Sequence, residues 1–221
     1  DMKKISAACA TAAALAALCV PGAAFAADGT LTLNAGDGST LAGHSFTVYK
    51  VANYNDVVKD GANVKSVSAS SPDAAADAWV KAALNKNGVT YNTSEGRNAA
   101  EQLLRLKTDT DTLRKVAGTL QSTAAASRVT AVKTNQTSTT GSLNLTLPEG
   151  YYLVVDAQGI PILVSTTIGG ATRMSNGQTL GSTQIKTNVT KIDKKIKSVD
   201  GTWKDSAAAT NGETRDFKAT F

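Results

Sequence analysis

Past residue 26 the chain has no cysteine: Cys9 and Cys19 are the only two, and both stand in the opening apolar segment. That excludes the disulfide staples on which small secreted domains often rely, and it removes thiolates from any catalytic or metal-binding chemistry. Histidine is almost as scarce. His44 is the only one, so a histidine-based triad would have a single base to draw on. No His/Cys cluster exists for a transition metal, and no Asp-rich loop matches a calcium site. Gly169-Gly170 is a glycine pair without the flanks of a phosphate-cradling loop, and no serine sits in a nucleophile-elbow context. Asp109 and Asp111 could pass for paired carboxylates, but they more simply cap a helix beginning near Thr110. These absences leave no catalytic residues, no metal and no cofactor to assign, and the expectation is a protein that is not an enzyme.

What is present begins with Met2, Lys3 and Lys4, then an alanine-rich apolar run from Ile5 to Val20, a break at Pro21-Gly22, and Ala24-Phe25-Ala26. A basic start, a short apolar core and an A-x-A end make a secretory signal peptide over residues 1–26. The run is too short and too rich in alanine for a membrane span, which needs roughly 20 strongly apolar residues, and no later segment is long enough. Leu18 stands where a lipoprotein signal wants a small residue, so Cys19 is a poor lipid anchor. Asp1, ahead of the methionine, is given no role. The net charge of +5 comes from lysines scattered among acids, with one dense run at Lys191 to Lys197. It reads as a solvated basic surface, and export argues against a nucleic-acid partner.

Along the remaining chain the apolar period changes twice. Thr30 to Leu33 alternates as a strand, and His44 to Tyr54 is rich in aromatic and β-branched residues, a clearer strand. Val57 to Val67, with Lys59-Asp60-Gly61 at its centre, reads as a hairpin. Ser71-Pro72-Asp73 then signals a helix start, with serine as cap and proline in the first helical position. Ala76, Trp79, Val80, Ala83 and Leu84 follow at helical spacing. Further helices are expected from about Ser94 to Leu106 and from about Thr110 to Ala126, the last with Leu113, Val116, Ala117 and Leu120 as its buried stripe. Strands return with Leu143, Leu145 and Leu147, a turn at Pro148-Glu149-Gly150, and Tyr151 to Val155, whose continuous apolar run implies burial on both faces. Ile160 to Thr166 and Gly181 to Ile185 complete the set. The expectation is a mainly β fold: a β-sandwich over residues 27–187 with helices, about 72–126, packed on one edge. From about Asn188 a new unit starts, with strands at Val189 to Lys197 and Thr214 to Phe221. Two strands and a loop cannot bury a core, so residues 188–221 read as the truncated start of a second β-sandwich domain.

Phe46-Thr-Val-Tyr-Lys-Val-Ala-Asn-Tyr54 and Leu147-Pro-Glu-Gly-Tyr-Tyr-Leu-Val-Val155 resemble the first domain of sortase-assembled backbone pilins of Gram-positive bacteria. Val189-Thr-Lys-Ile-Asp-Lys-Lys-Ile196, Asp200-Gly-Thr-Trp203 and Gly212-Glu-Thr214 resemble the opening of the second pilin domain. The resemblance implies Ig-like sandwiches of the collagen-adhesin B type, locked by an amide between a lysine and an asparagine and promoted by a buried acid. It implies a structural subunit of a fimbrial shaft, joined covalently to copies of itself by a pilin sortase, linked to cell-wall peptidoglycan and displayed on the cell surface. The alternative is a wall-anchored adhesin or tip subunit that uses similar domains to bind host matrix or glycan. Leu147-Pro148-Glu149-Gly150 imitates a sorting signal but lacks its threonine, and it reads as a turn.

An amide-forming lysine has to be neutral when it attacks, so it has to be desolvated. In the strand at Thr190 to Ile196, period two places Ile192, Lys194 and Ile196 on one face. Lys194 is therefore the candidate for the intramolecular isopeptide bond, and it matches the family position. Its asparagine and acid would lie past Phe221. The competing reading is an exposed edge strand with Lys194 in water. Lys50, on a face with Phe46 and Val48, is a second candidate, although a lysine at a strand end can snorkel to solvent. For the intermolecular bond, Ile185-Lys186-Thr187-Asn188 stands where the family carries a Y-P-K-N-like motif, whose tyrosine and proline are missing here. Lys186 is the sortase acceptor candidate, or else an ordinary exposed lysine at a domain junction.

Overall fold

The computed structural model describes residues 27–36, 38–90, 97–106, 110–158, 161–187, 193–205, 214 and 216–220. The signal peptide expected over residues 1–26 lies outside them. The chain forms β1 (Asp28–Ala35), β2 (Phe46–Asp60), β3 (Asn63–Ser70), α1 (Ala74–Lys86), α2 (Ala99–Arg105), α3 (Asp111–Thr123), β4 (Lys133–Gln136), β5 (Ser142–Pro148), β6 (Gly150–Asp156), β7 (Ile162–Ser165) and β8 (Ser182–Ile185). Beyond these come β9 (Asp193–Lys197), β10 (Trp203–Lys204) and β11 (Phe217–Thr220).

Two sheets face each other. One has the order β5-β1-β8, with β1 antiparallel to β5 and parallel to β8. The other has the order β3-β2-β6-β7, and β4 also pairs with β2. Phe46 pairs with both Gln136 and Asp156, and Asn53 with both Ser70 and Gly150, so β4 and β3 follow one another along the same edge of β2. The first core lies between the sheets. Leu31, Leu33, Leu145, Leu147 and Ile185 from one sheet meet Phe46, Val48, Tyr152 and Val154 from the other.

The helices pack on the outer face of the larger sheet and not on an edge of the sandwich, as the strand–helix–strand order alone suggests. Tyr49, Val51, Tyr151, Leu153 and Val155 all point to that face and pack with Trp79, Val80, Leu84, Leu103, Val116 and Leu120. This explains the unbroken apolar run in β6. Its Tyr152 and Val154 face the sandwich, its Leu153 faces the helices, and all three are buried. The register of β2 against β6 slips by one between Lys50 and Ala52, so Val51 is an extra residue. After the slip Ala52 also faces the helical side, against Ala69 and Ala100.

Local signals account for the boundaries, with corrections. The strand and hairpin expected separately are one 15-residue strand, β2, which turns at Gly61 into β3. Asp56, at φ 47, marks an irregularity within it and not an end. The cap of α1 is Asp73, whose side chain accepts from the Ala76 N–H at 2.8 Å. Ser71 instead donates its hydroxyl to Asp77. α2 is shorter than expected and starts at its cap Asn98, with 94–96 outside the described residues. Thr110 itself caps α3, while Asp111 sits in the first turn and pairs with Arg114 at 2.6 Å. Leu113 is only half-buried. β4, Lys-Thr-Asn-Gln in sequence, has no apolar signature and was not foreseeable as a strand.

After β8 a third sheet has the order β10-β9-β11. Ile196 pairs with Phe217 and Lys204, and Lys197 with Trp203. Trp203 and Phe217 are exposed.

Candidate lysine sites

Lys186 is the residue after β8. Ile185, just before it, is buried in the sandwich core and paired with Ala35 of β1. Lys186 is exposed, and among the described residues its ammonium makes no ion pair or hydrogen bond. One residue is thus anchored in the core and the next presents a free amine at the end of the last sandwich strand. The Asn188 to Ile192 stretch lies outside the described residues.

Lys194 is placed through its backbone in β9, opposite Ala219. Two residues on, Ile196 pairs with Phe217, which is exposed. The neighbours of opposite parity are ion-paired at the surface: Lys195 with Asp205 and Lys197 with Asp216, each at 3.7 Å. Ile196 between them is half-buried, and Ile192 and the Lys194 side chain lie outside the described residues. The turn before β10 is tied by Asp200, whose carboxylate accepts from the Thr202 N–H and hydroxyl and from Lys204. Those bonds hold its carboxyl well below the usual range.

Lys50 does lie on the sandwich face with Phe46 and Val48, at the end where that face opens. Its Nζ stands 5.9 Å from the centre of the Tyr152 ring. The side chain runs over Gly150, where a Cβ would lie 2.5 Å from Lys50 Cε and 2.5 Å from the Ala52 carbonyl oxygen. Only glycine fits at that crossing. Burial lowers the Lys50 pKa from its ordinary value, and the nearby Glu149 charge opposes this. Among the described residues no asparagine or carboxylate bonds to its Nζ. Its amine borders a cavity of about 490 Å³ with Asp73, Lys133 and Thr146.

The turn at Pro148-Glu149-Gly150 joins β5 to β6 as expected. Glu149 Oε1 accepts from the Gly169 N–H at 2.5 Å, and the Tyr152 hydroxyl donates to the Pro148 carbonyl. His44, the single histidine, is buried and joined through Nδ1 to Asp156 Oδ2 at 2.6 Å. Asp156 Oδ1 also accepts from the Gln158 N–H. No serine or threonine hydroxyl is bonded to His44 among the described residues, so this pair ties the entry of β2 to the exit of β6. Its partner was missed in sequence, although Asp156 shares parity with Tyr152 and Val154 and so points inward. No group of three potential metal ligands occurs among the described residues, and no helix there is long and apolar enough to cross a membrane. Comparison with known proteins returns no match, whether to family models, to curated proteins or to solved structures.

Proposed function

We propose that this chain belongs to a structural subunit of a covalently polymerised surface pilus, with no catalytic role of its own. In this reading the sandwich is Ig-like and of the collagen-adhesin B type, and the β9–β11 sheet opens a second domain of the same kind. The observation that carries the proposal is Lys186: an exposed amine, without an ion pair or hydrogen bond among the described residues, fixed to the end of the last sandwich strand by the buried Ile185. A sortase acceptor needs that combination, because transfer requires free access and a defined position. A pilin sortase breaks the Thr–Gly bond of the next copy's sorting signal, carries the threonine carboxyl as a thioester and passes it to the Lys186 amine with release of its own thiol, and the last subunit is joined to peptidoglycan. Export through residues 1–26 brings the subunit to the wall. Lys194 forms an internal amide with the side chain of an asparagine of its own domain, releasing ammonia, in place of the disulfides that the chain past residue 26 has no cysteine to form.

A Lys186→Ala variant expressed in the producing cells is expected to lose the high-molecular-weight ladder of the wall fraction and leave monomer. A persistent ladder rules out Lys186 as the sole acceptor. A second reading, a surface adhesin or tip subunit that binds host ligands, is favoured by an open cleft beside α2.

A further inference from the structure

A cleft of about 550 Å³ opens between α2, β3 and the loop that runs from Ile168 to Leu180. It includes none of the three lysines above, and its size falls within the roughly 300–1,000 Å³ of small-ligand sites. Leu104, Ile168, Met174 and Leu180 make its lining partly apolar. Tyr54 belongs to the same wall and is held in place by its hydroxyl, which donates to Ser165 Oγ at 2.8 Å.

Around that lining stand polar side chains with no protein partner among the described residues, Glu101 half-buried and Arg105, Gln178 and Ser66 exposed. Glu101 and Arg105 are one turn apart on α2, in the spacing and order that ordinarily pair on a helix. Both border the cleft, yet their side chains make no ion pair or hydrogen bond among the described residues. Glu101 is engaged only through its backbone N–H, which donates to Asn98 Oδ1 at 2.9 Å. Across the cleft the Gln178 carboxamide makes no hydrogen bond among the described residues, its backbone alone being bonded to Asn176 and Met174. The exposed Ser66 hydroxyl is likewise without a protein partner among the described residues.

The four groups supply acceptors and donors in balance, and their two charges cancel. A matching ligand is uncharged, both gives and accepts hydrogen bonds, and has an apolar side for Leu104 and Met174. A pyranose ring has these features: neighbouring hydroxyls around the rim and a C–H face. A free amino acid meets Glu101 and Arg105 but leaves Gln178 and Ser66 to water. We propose that this cleft binds a neutral saccharide, with Glu101 accepting from, and Arg105 and Gln178 donating to, its hydroxyls. The proposal does not depend on polymerisation through Lys186.

The test uses the whole chain with a panel of neutral sugars (galactose, glucose, mannose, N-acetylglucosamine and lactose) and with glycine and glutamine as zwitterionic comparators. Binding is read by saturation-transfer NMR and titration. At least one sugar is expected to bind with a Kd on the order of 1 mM or tighter. Glu101→Gln and Arg105→Ala are each expected to weaken it about tenfold or more, while Lys186→Ala leaves it unchanged. Neither substitution removes a bonded side chain, so both variants keep the fold, which a thermal melt checks. The proposal is overturned if no sugar binds, if binding survives both substitutions, or if the amino acids saturate the site and the sugars do not.

Discussion

At the residue scale, Lys50 shows how a period-two pattern gives the face of a side chain but not its depth. Phe46, Val48 and Lys50 alternate as the sequence implies, and the first two are fully buried. Lys50 is half-buried because β2 slips register just beyond it and the sandwich opens there. Desolvation lowers its folded-state pKa, partly offset by Glu149. The unfolded chain therefore binds more protons than the folded one below the ordinary lysine value of about 10.4, and this site's contribution to stability rises with pH. A Lys50→Met variant removes that dependence. Its stability relative to the parent is expected to be greatest near neutral pH and to decline as pH approaches about 10. Denaturant melts across that range check the slope, and a relative stability that grows with pH contradicts the assignment. The His44–Asp156 pair shows the complementary case. Each residue was visible alone, but only the antiparallel pairing of β2 with β6 brings residues 112 apart to 2.6 Å.

At the element scale, the strands and helices with strong patterns were legible, and those set by their neighbours were not. β6 declared its double burial through Tyr-Tyr-Leu-Val-Val, and α1 its inner face through Trp79, Val80, Ala83 and Leu84. Trp79 is fixed further by its Nε1–H, which donates to Thr123 Oγ1 at 3.0 Å and so links α1 to α3. What local pattern could not say is which layer covers each face of β6, because that depends on where the helical segment folds back. The placement makes a prediction. Leu153→Ala and Val154→Ala each remove a buried side chain from β6 but on opposite sides. Leu153→Ala is expected to cost about 2–5 kcal/mol and to raise amide exchange first in α1 and α3. Val154→Ala is expected to cost somewhat less and to raise exchange in β1 and β5. The same exchange pattern from both variants would contradict the three-layer arrangement. β4 stayed invisible because Lys-Thr-Asn-Gln pairs through its backbone alone, against Phe46 and Val48.

For the whole molecule, the question is whether the sandwich is a link in a covalent chain. The end of the last sandwich strand was legible in the sequence through the strand read at Gly181 to Ile185, which puts Lys186 just past it. Its exposure and its anchoring by Ile185 depend on β8 pairing in parallel with β1, a contact between residues far apart in sequence. Without disulfides past residue 26, resistance to shear in such a polymer falls to amide bonds within and between subunits. The most direct measurement is tandem mass spectrometry of peptides from the high-mass wall fraction of the producing cells. The account predicts a branched peptide in which the Lys186 side-chain amine is joined to the carboxyl end of another copy. Recovery of Lys186 only as an unmodified lysine, in material that contains this chain, would contradict it.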